Sequence, residues 1–261
     1  MCELNRKFLV KKYANDNLQE LTEIKIIKKG INKIDPNTFL ELDKLEILRL
    51  GSNEIREIPA KKAFESLSNL IRLSLYDNKL TRIDSDTFKG LTKLENLSLR
   101  GNEIEEINWK AFESLSNLKG LWLHNNKLKR IKSNTFKGLT NLEKLSLHGN
   151  VIEEIDGKAF QSLSNLKVLW LENNKLSIDR KCFEPLKSIE VIELYENNGL
   201  KALSFIKPST ECLYDKKKVK ESVSDWNKFL QQFPDLGNLF QFVILTILCK
   251  TNVNTLNSCL L

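Results

Sequence analysis

His124 and His148, the only histidines in the chain, stand 24 residues apart, and Glu172 stands 24 further on. Imidazole and carboxylate both bind zinc, so an evenly spaced His–His–Glu row raises metal ligation as a first reading. Trp122 and Trp170 follow the same rhythm with Ser146 midway, and Leu121-Trp122-Leu123-His124 interleaves large polar-tipped rings with leucines. Such rings are either core or a surface turned outward to meet a partner. Hydrolytic or phosphoryl chemistry needs a recognisable frame, and no HExxH, GxSxG or Gly-rich phosphate loop occurs. Two histidines so far apart in sequence have too few partners for a nucleophile triad. Cys2, Cys182, Cys212, Cys249 and Cys259 are odd in number and scattered, which gives neither a disulfide framework nor a zinc spacing. Strand spacing alone does not make a tetrahedral site. The expectation is therefore no metal, no cofactor and no enzyme, and attention moves to whatever repeats every 24 residues.

Asn53, Asn78, Asn102, Asn126, Asn150, Asn174 and Asn197 recur at 23 to 25 residues, and Phe39, Phe64, Phe88, Phe112, Phe136, Phe160 and Phe183 recur in step. Between them runs LxxLxxLxLxxNxLxxIxxxxF, seen cleanly from Leu91. Eight units begin near Leu18, Leu42, Leu67, Leu91, Leu115, Leu139, Leu163 and Leu186. LxL is a short strand whose alternate residues face opposite ways. One unit cannot bury its leucines alone, so successive strands must stack into a parallel sheet. An Asn amide where the chain leaves each strand can satisfy turn backbone groups that stacking buries. The phenylalanines should form a second apolar column on the convex side. Lys29 replaces Asn in the first unit, which is expected to be a degenerate end repeat facing water.

This pattern resembles the leucine-rich repeat family, in the 24-residue form of Slit, Toll-like receptors, matrix proteoglycans and variable lymphocyte receptors. The resemblance implies an α/β solenoid, a curved horseshoe with a parallel concave β-sheet and a small helical C-terminal cap. It divides the chain into an N-terminal segment 1–17, eight repeats over 18–206 and a cap or tail over 207–261. It implies a protein ligand on the concave face and an extracellular, receptor-like setting. MCELNRKFLVKK is not a secretory signal, since FLV is too short an apolar run. The chain read as complete would be cytoplasmic, and the cysteine-bearing caps of extracellular relatives are absent.

If the leucines face inward, the residue between them and the residue after the second face the concavity. The first column reads Lys25, Arg49, Ser74, Ser98, Trp122, Ser146, Trp170, Glu193, and the second Ile27, Gly51, Tyr76, Arg100, His124, His148, Glu172, Tyr195. Exposed Trp, Tyr and Arg dominate binding hot spots. Arg49, Tyr76, Arg100, Trp122, His124, His148, Trp170, Glu172 and Tyr195 are the expected partner contacts. With Ser146 between them, Trp122 and Trp170 would stand roughly 10 Å apart and leave a slot for one side chain. Lys25, Arg49, Arg72 and Arg100 lie towards one end of the array, and Glu172, Glu193 and Glu196 towards the other.

Units also alternate in charge, NEIEEI against NKLKRI. Glu54, Lys79, Glu103, Lys127, Val151 and Lys175 fall in one column and Glu57, Arg82, Glu106, Arg130 and Glu154 in another. Stacked strands about 5 Å apart turn both into ladders of opposite charge. Because the signs cancel locally, the net charge of +7 makes no phosphate-tracking strip, and no nucleic-acid partner is expected. Past Phe205 the repeat stops. Val219, Val223, Trp226, Leu230 and Phe233 have helical spacing, and an apolar run follows over 236–249. That tail reads as a cap on the open end of the solenoid. Attachment to a membrane surface through Lys216, Lys217, Lys218 and Lys220 is the less favoured reading. An intracellular adaptor, recruiting through the tail, is the alternative function, and no oligomeric state follows from the sequence.

Overall fold

A computed structural model describes residues 2–59, 63–176, 180–194, 196–197 and 204–206. Tyr195 and the expected tail helix and apolar run lie outside the described residues. Each LxL stretch forms a three-residue strand: β2 (Glu23–Lys25), β4 (Ile47–Arg49), β5 (Arg72–Ser74), β7 (Asn96–Ser98), β9 (Gly120–Trp122), β11 (Lys144–Ser146), β13 (Val168–Trp170) and β14 (Val191–Glu193). They pair in parallel and in register, so that Leu97, Leu121, Leu145 and Leu169 lie side by side. The described residues thus form a leucine-rich repeat solenoid in which these eight strands stack. A ninth strand, β15 (Ser204–Ile206), joins β14 antiparallel, so it is not a further repeat.

Burial follows the two-residue alternation: Leu121, Leu123, Leu145, Leu147 and Leu169 are fully buried. The phenylalanines form a second column, with successive rings from Phe88 to Phe183 stacked 6.0 to 6.4 Å apart. Short strand pairs, β6 (Arg82–Ile83) with β8 (Glu106–Ile107) and β10 (Arg130–Ile131) with β12 (Glu154–Ile155), lie between the sheet and that column in the chain.

The asparagine column is a continuous hydrogen-bond ladder. Asn126 Oδ1 accepts from the Ile104 N–H (3.0 Å), while Nδ2 donates to the carbonyls of Leu99 (3.0 Å) and Leu123 (2.9 Å). Each ladder residue therefore ties its own turn to the unit before it, where the narrow stack admits no water. The residue just before each asparagine position is left-handed in all eight units: Lys28, Ser52, Asp77, Gly101, Asn125, Gly149, Asn173 and Glu196 have φ between 51° and 65°. Gly, Asn and Asp fill five of these sites because they tolerate that conformation best. A second ladder had no signature in the sequence reading. Asn69, Asn117, Asn141 and Asn165 each donate to a backbone carbonyl of the preceding unit at 2.7 to 2.9 Å.

The N-terminal end differs from expectation. The first unit does not simply face water, because β1 (Cys2–Leu4) pairs with β3 (Ile31–Ile34) and α1 (Arg6–Lys12) buries Leu9. Asn5 caps α1 by accepting from the Phe8 N–H. The Tyr13 hydroxyl accepts from the Lys25 N–H at 2.9 Å, so a side chain occupies a donor on the edge strand β2 that would otherwise invite another strand.

The charge ladders form in part. Lys79–Glu54, Lys127–Glu103 and Arg130–Glu154 pair between units at 3.4, 2.7 and 3.0 Å. Arg82 instead turns to Asp84 of its own unit, and Glu106 pairs with Lys132. Long exposed side chains have several partners in reach, so register in the column does not fix the pairing. An unexpected alternation flanks the sheet, with Lys119–Glu95 and Lys167–Glu143 at 2.8 and 2.9 Å. These pairs are exposed and screened by solvent, so each adds little to stability. Among the described residues no helix is long and apolar enough to cross a membrane.

Candidate functional site

Registered strands place Trp122, Ser146, Trp170 and Glu193 in one row across β9, β11, β13 and β14. The row stands on the face opposite the buried leucines. Trp122 and Trp170 are half-buried there, although the leucines on either side are sealed. Gly120, two residues before Trp122, makes room for the indole: a Cβ at Gly120 would lie 2.4 Å from Trp122 Cη2. Gly51 does the same for Tyr76, whose ring would meet a Cβ there at 2.2 Å. Gly51 stands in the column of Tyr76, and Gly120 in a third outward column with Arg72, Asn96, Lys144, Val168 and Val191.

The expected slot between the tryptophans is closed. Ser146 is 2% exposed, and its Oγ lies 2.9 Å from Nδ1 of both His124 and His148. The two imidazoles stack at 4.3 Å between centroids, 14° from parallel. A hydroxyl has one proton, so Ser146 donates to one ring and accepts from the other. His148 Nδ1 also faces Glu172 Oε1 at 3.4 Å, so with Glu172 ionised it is assigned as the N–H nitrogen and His124 Nδ1 as the acceptor. A relay for a nucleophile would put serine and carboxylate on opposite ring nitrogens. Here both address the same nitrogen of His148, and the hydroxyl is buried. Among the described residues no three His, Cys, Asp or Glu side chains are arranged to hold a metal.

Burial sets the charge states of this cluster. It pushes His124 down to about 4, helped by the positive charge of His148 and Arg100, and it lowers His148 as well. Glu172 is pushed up to about 7, first by burial and then by the charges of Glu193 and Glu196, against a lowering backbone hydrogen bond. Glu172 was expected to be an exposed contact and is instead only 7% exposed, because its side chain turns in against the imidazole of the preceding unit. Arg49, Tyr76, Arg100, His124 and His148 are half-buried on the same face. Two of the cations are already engaged: Arg49 pairs with Glu23 at 2.8 Å, and the Arg100 guanidinium lies 4.6 Å from the Tyr76 ring centre.

A family profile described as the BspA type leucine rich repeat region, in six copies, matches residues 8–119 and 81–209. The chain belongs to the BspA-type leucine-rich repeat family. Among solved structures, TLR13 in its ssRNA13 complex matches at 28% identity and a TM-score of 0.69, over 76% of this chain and 27% of TLR13. A leucine-rich repeat protein of Leptospira interrogans matches at 29% identity and a TM-score of 0.59, over 69% of this chain and 44% of that one. The BspA-type chain thus spans about a quarter of the length of the first and under half of the second. No curated protein sequence matches it. Leucine-rich repeat proteins generally serve as protein-interaction scaffolds, and the fold is typically non-enzymatic.

Proposed function

We propose that this BspA-type repeat chain is a non-catalytic scaffold that holds a protein partner against its concave sheet, with a receptor-like, extracellular role. The observation that carries the reading is the pair of half-buried indoles, Trp122 and Trp170, in one row of an otherwise sealed leucine stack. The core leucines face away from that side, and large aromatics on an open sheet supply contact area at low entropic cost. Arg49, Tyr76, Arg100, His124 and His148 extend the surface, Tyr195 adds to it by its place in the column, and Glu172 lines it from beneath. The engaged arginines and the carboxylates at one end oppose a nucleic-acid track, although the TLR13 structure holds single-stranded RNA. The receptor-like, extracellular part leans on repeat type and on the likeness to TLR13. The test is the double variant Trp122→Ala, Trp170→Ala: capture of the partner should fall while the melting temperature stays within a few degrees. A large fall in melting temperature would make the indoles structural and overturn the reading.

A further inference from the structure

Many carboxylates on the described part of this protein pair with a Lys or Arg, while two on the concave sheet and one in the turn that follows β14 do not. Glu172, Glu193 and Glu196 lie together where β13 and β14 meet, and none has an ion pair with Lys or Arg among the described residues. Glu172 Oε1 is directed to His148, but its Oε2 is buried with no hydrogen-bond partner. A buried carboxylate oxygen left unpaired is costly, and a cation brought against it would supply the missing partner. Trp170 stands directly across from Glu193 in the parallel register, with Val168 and Val191 paired beside them. An aromatic face next to carboxylates and short aliphatic side chains suits an alkyl stem ending in a positive charge.

We propose that Glu172, Glu193 and Glu196, beside Trp170, form a receptor site for one cationic side chain, Lys or Arg, of the protein partner. The site deepens the concave-face reading and rests on it. Towards the other end of the sheet Arg49 pairs with Glu23, Arg100 lies on the Tyr76 ring, and Lys25 and Arg72 add positive charge, so the negative charge of this face gathers at the β13–β14 end. A partner presenting a positive residue is steered to this end. Glu172 is faced by His148 from the β11 side and by Glu193 and Glu196 from the β14 side, and burial also raises Glu193. Glu172 is half-ionised near pH 7, so the site charges fully only above it, and arrival of a cation expels the remaining proton.

The test uses the full chain and a fluorescein-labelled penta-arginine peptide, with penta-glutamate as control, followed by fluorescence anisotropy. Penta-arginine should bind and penta-glutamate should not. If only the ionised Glu172 accepts the peptide, its apparent affinity should rise about tenfold between pH 6 and pH 8. Glu172→Gln should remove that pH dependence, and Glu172→Gln with Glu193→Gln should weaken binding by about tenfold or more. The exposed control pair Glu57→Gln, Glu105→Gln should bind like the parent. Equal affinity of the Glu172/Glu193 variant and the parent overturns the proposal. So does binding that appears only when Lys216, Lys217, Lys218 and Lys220 are replaced by Gln, which would make the chain's own lysines the occupant. A natural partner that needs Trp122 yet ignores the Glu172/Glu193 variant would also overturn it, and would leave the concave-face reading standing.

Discussion

Replacing Asn126 by Ala removes one rung from the middle of the asparagine ladder, and the structure says what each lost bond is worth. The Ile104 N–H has Asn126 Oδ1 as its acceptor and is left orphaned in a buried turn. An orphaned buried donor costs about 1–3 kcal/mol. The two carbonyls fare better, because each accepts from two asparagines. Leu99 O keeps the amide of Asn102 at 2.9 Å, and Leu123 O keeps that of Asn150 at 3.1 Å. Losing one of two donors should cost roughly 0.5 kcal/mol at each. The expected loss is therefore about 2–4 kcal/mol, well below three fully broken buried bonds. Asn126→Asp preserves the acceptor but turns a second oxygen on both carbonyls, so it should be no milder. Asn141→Ala loses a single exposed bond to the Ser116 carbonyl and should cost less than about 1 kcal/mol. Urea unfolding followed in parallel by circular dichroism and tryptophan fluorescence measures all three and shows whether the stack unfolds as one unit. If Asn126→Ala costs no more than Asn141→Ala, the ladder does not hold the turns and the reasoning fails.

Further outcomes follow from backbone geometry and from the buried cluster. Gly138 has φ of 91° and a Cβ there would lie 2.6 Å from the Glu113 carbonyl oxygen, so Gly138→Ala should lower stability by roughly 1–3 kcal/mol; no change in urea midpoint would contradict the close approach. Lys28 holds the same left-handed conformation as the other seven turns without glycine's freedom, and Lys28→Gly should leave the urea midpoint equal or higher. Glu172 has its folded pKa raised to about 7, so it stabilises the fold at acid pH and that contribution fades as pH rises from its unfolded value through 7. His124 is depressed to about 4, so its contribution is present above 6.5 and fades as pH falls towards 4. The two oppose each other between them, and Glu172→Gln should therefore show a steeper loss of melting temperature on acidification from pH 6.5 to 4.5; an unchanged slope would contradict the assigned charge states.

Much of the fold was legible because leucine and asparagine columns have a period that only stacking explains. Leu121, Asn126 and Phe136 each do what their position in the pattern requires, and eight copies fix the register. Outward alternation likewise placed Trp122 and Trp170 on the open face. What the pattern does not encode is the contact between neighbours in a column. Ser146 reads as a small gap between two tryptophans, yet the two imidazoles diagonal to it close over its hydroxyl. Glu172 reads as an outward charge, yet its reach is spent on His148. The N-terminal cap was missed because Tyr13 acts through a single hydroxyl on an edge strand, a contact with no periodic signature.

Site-specific photo-crosslinking tests the central claim, that the concave sheet is the binding face. A benzophenone side chain at position 122 is compared with one at position 109, where Trp109 is exposed on the loop leading to Phe112. A concave binding face should give a crosslinked partner from position 122 and none from position 109. A partner captured from position 109 and not from 122 would contradict it.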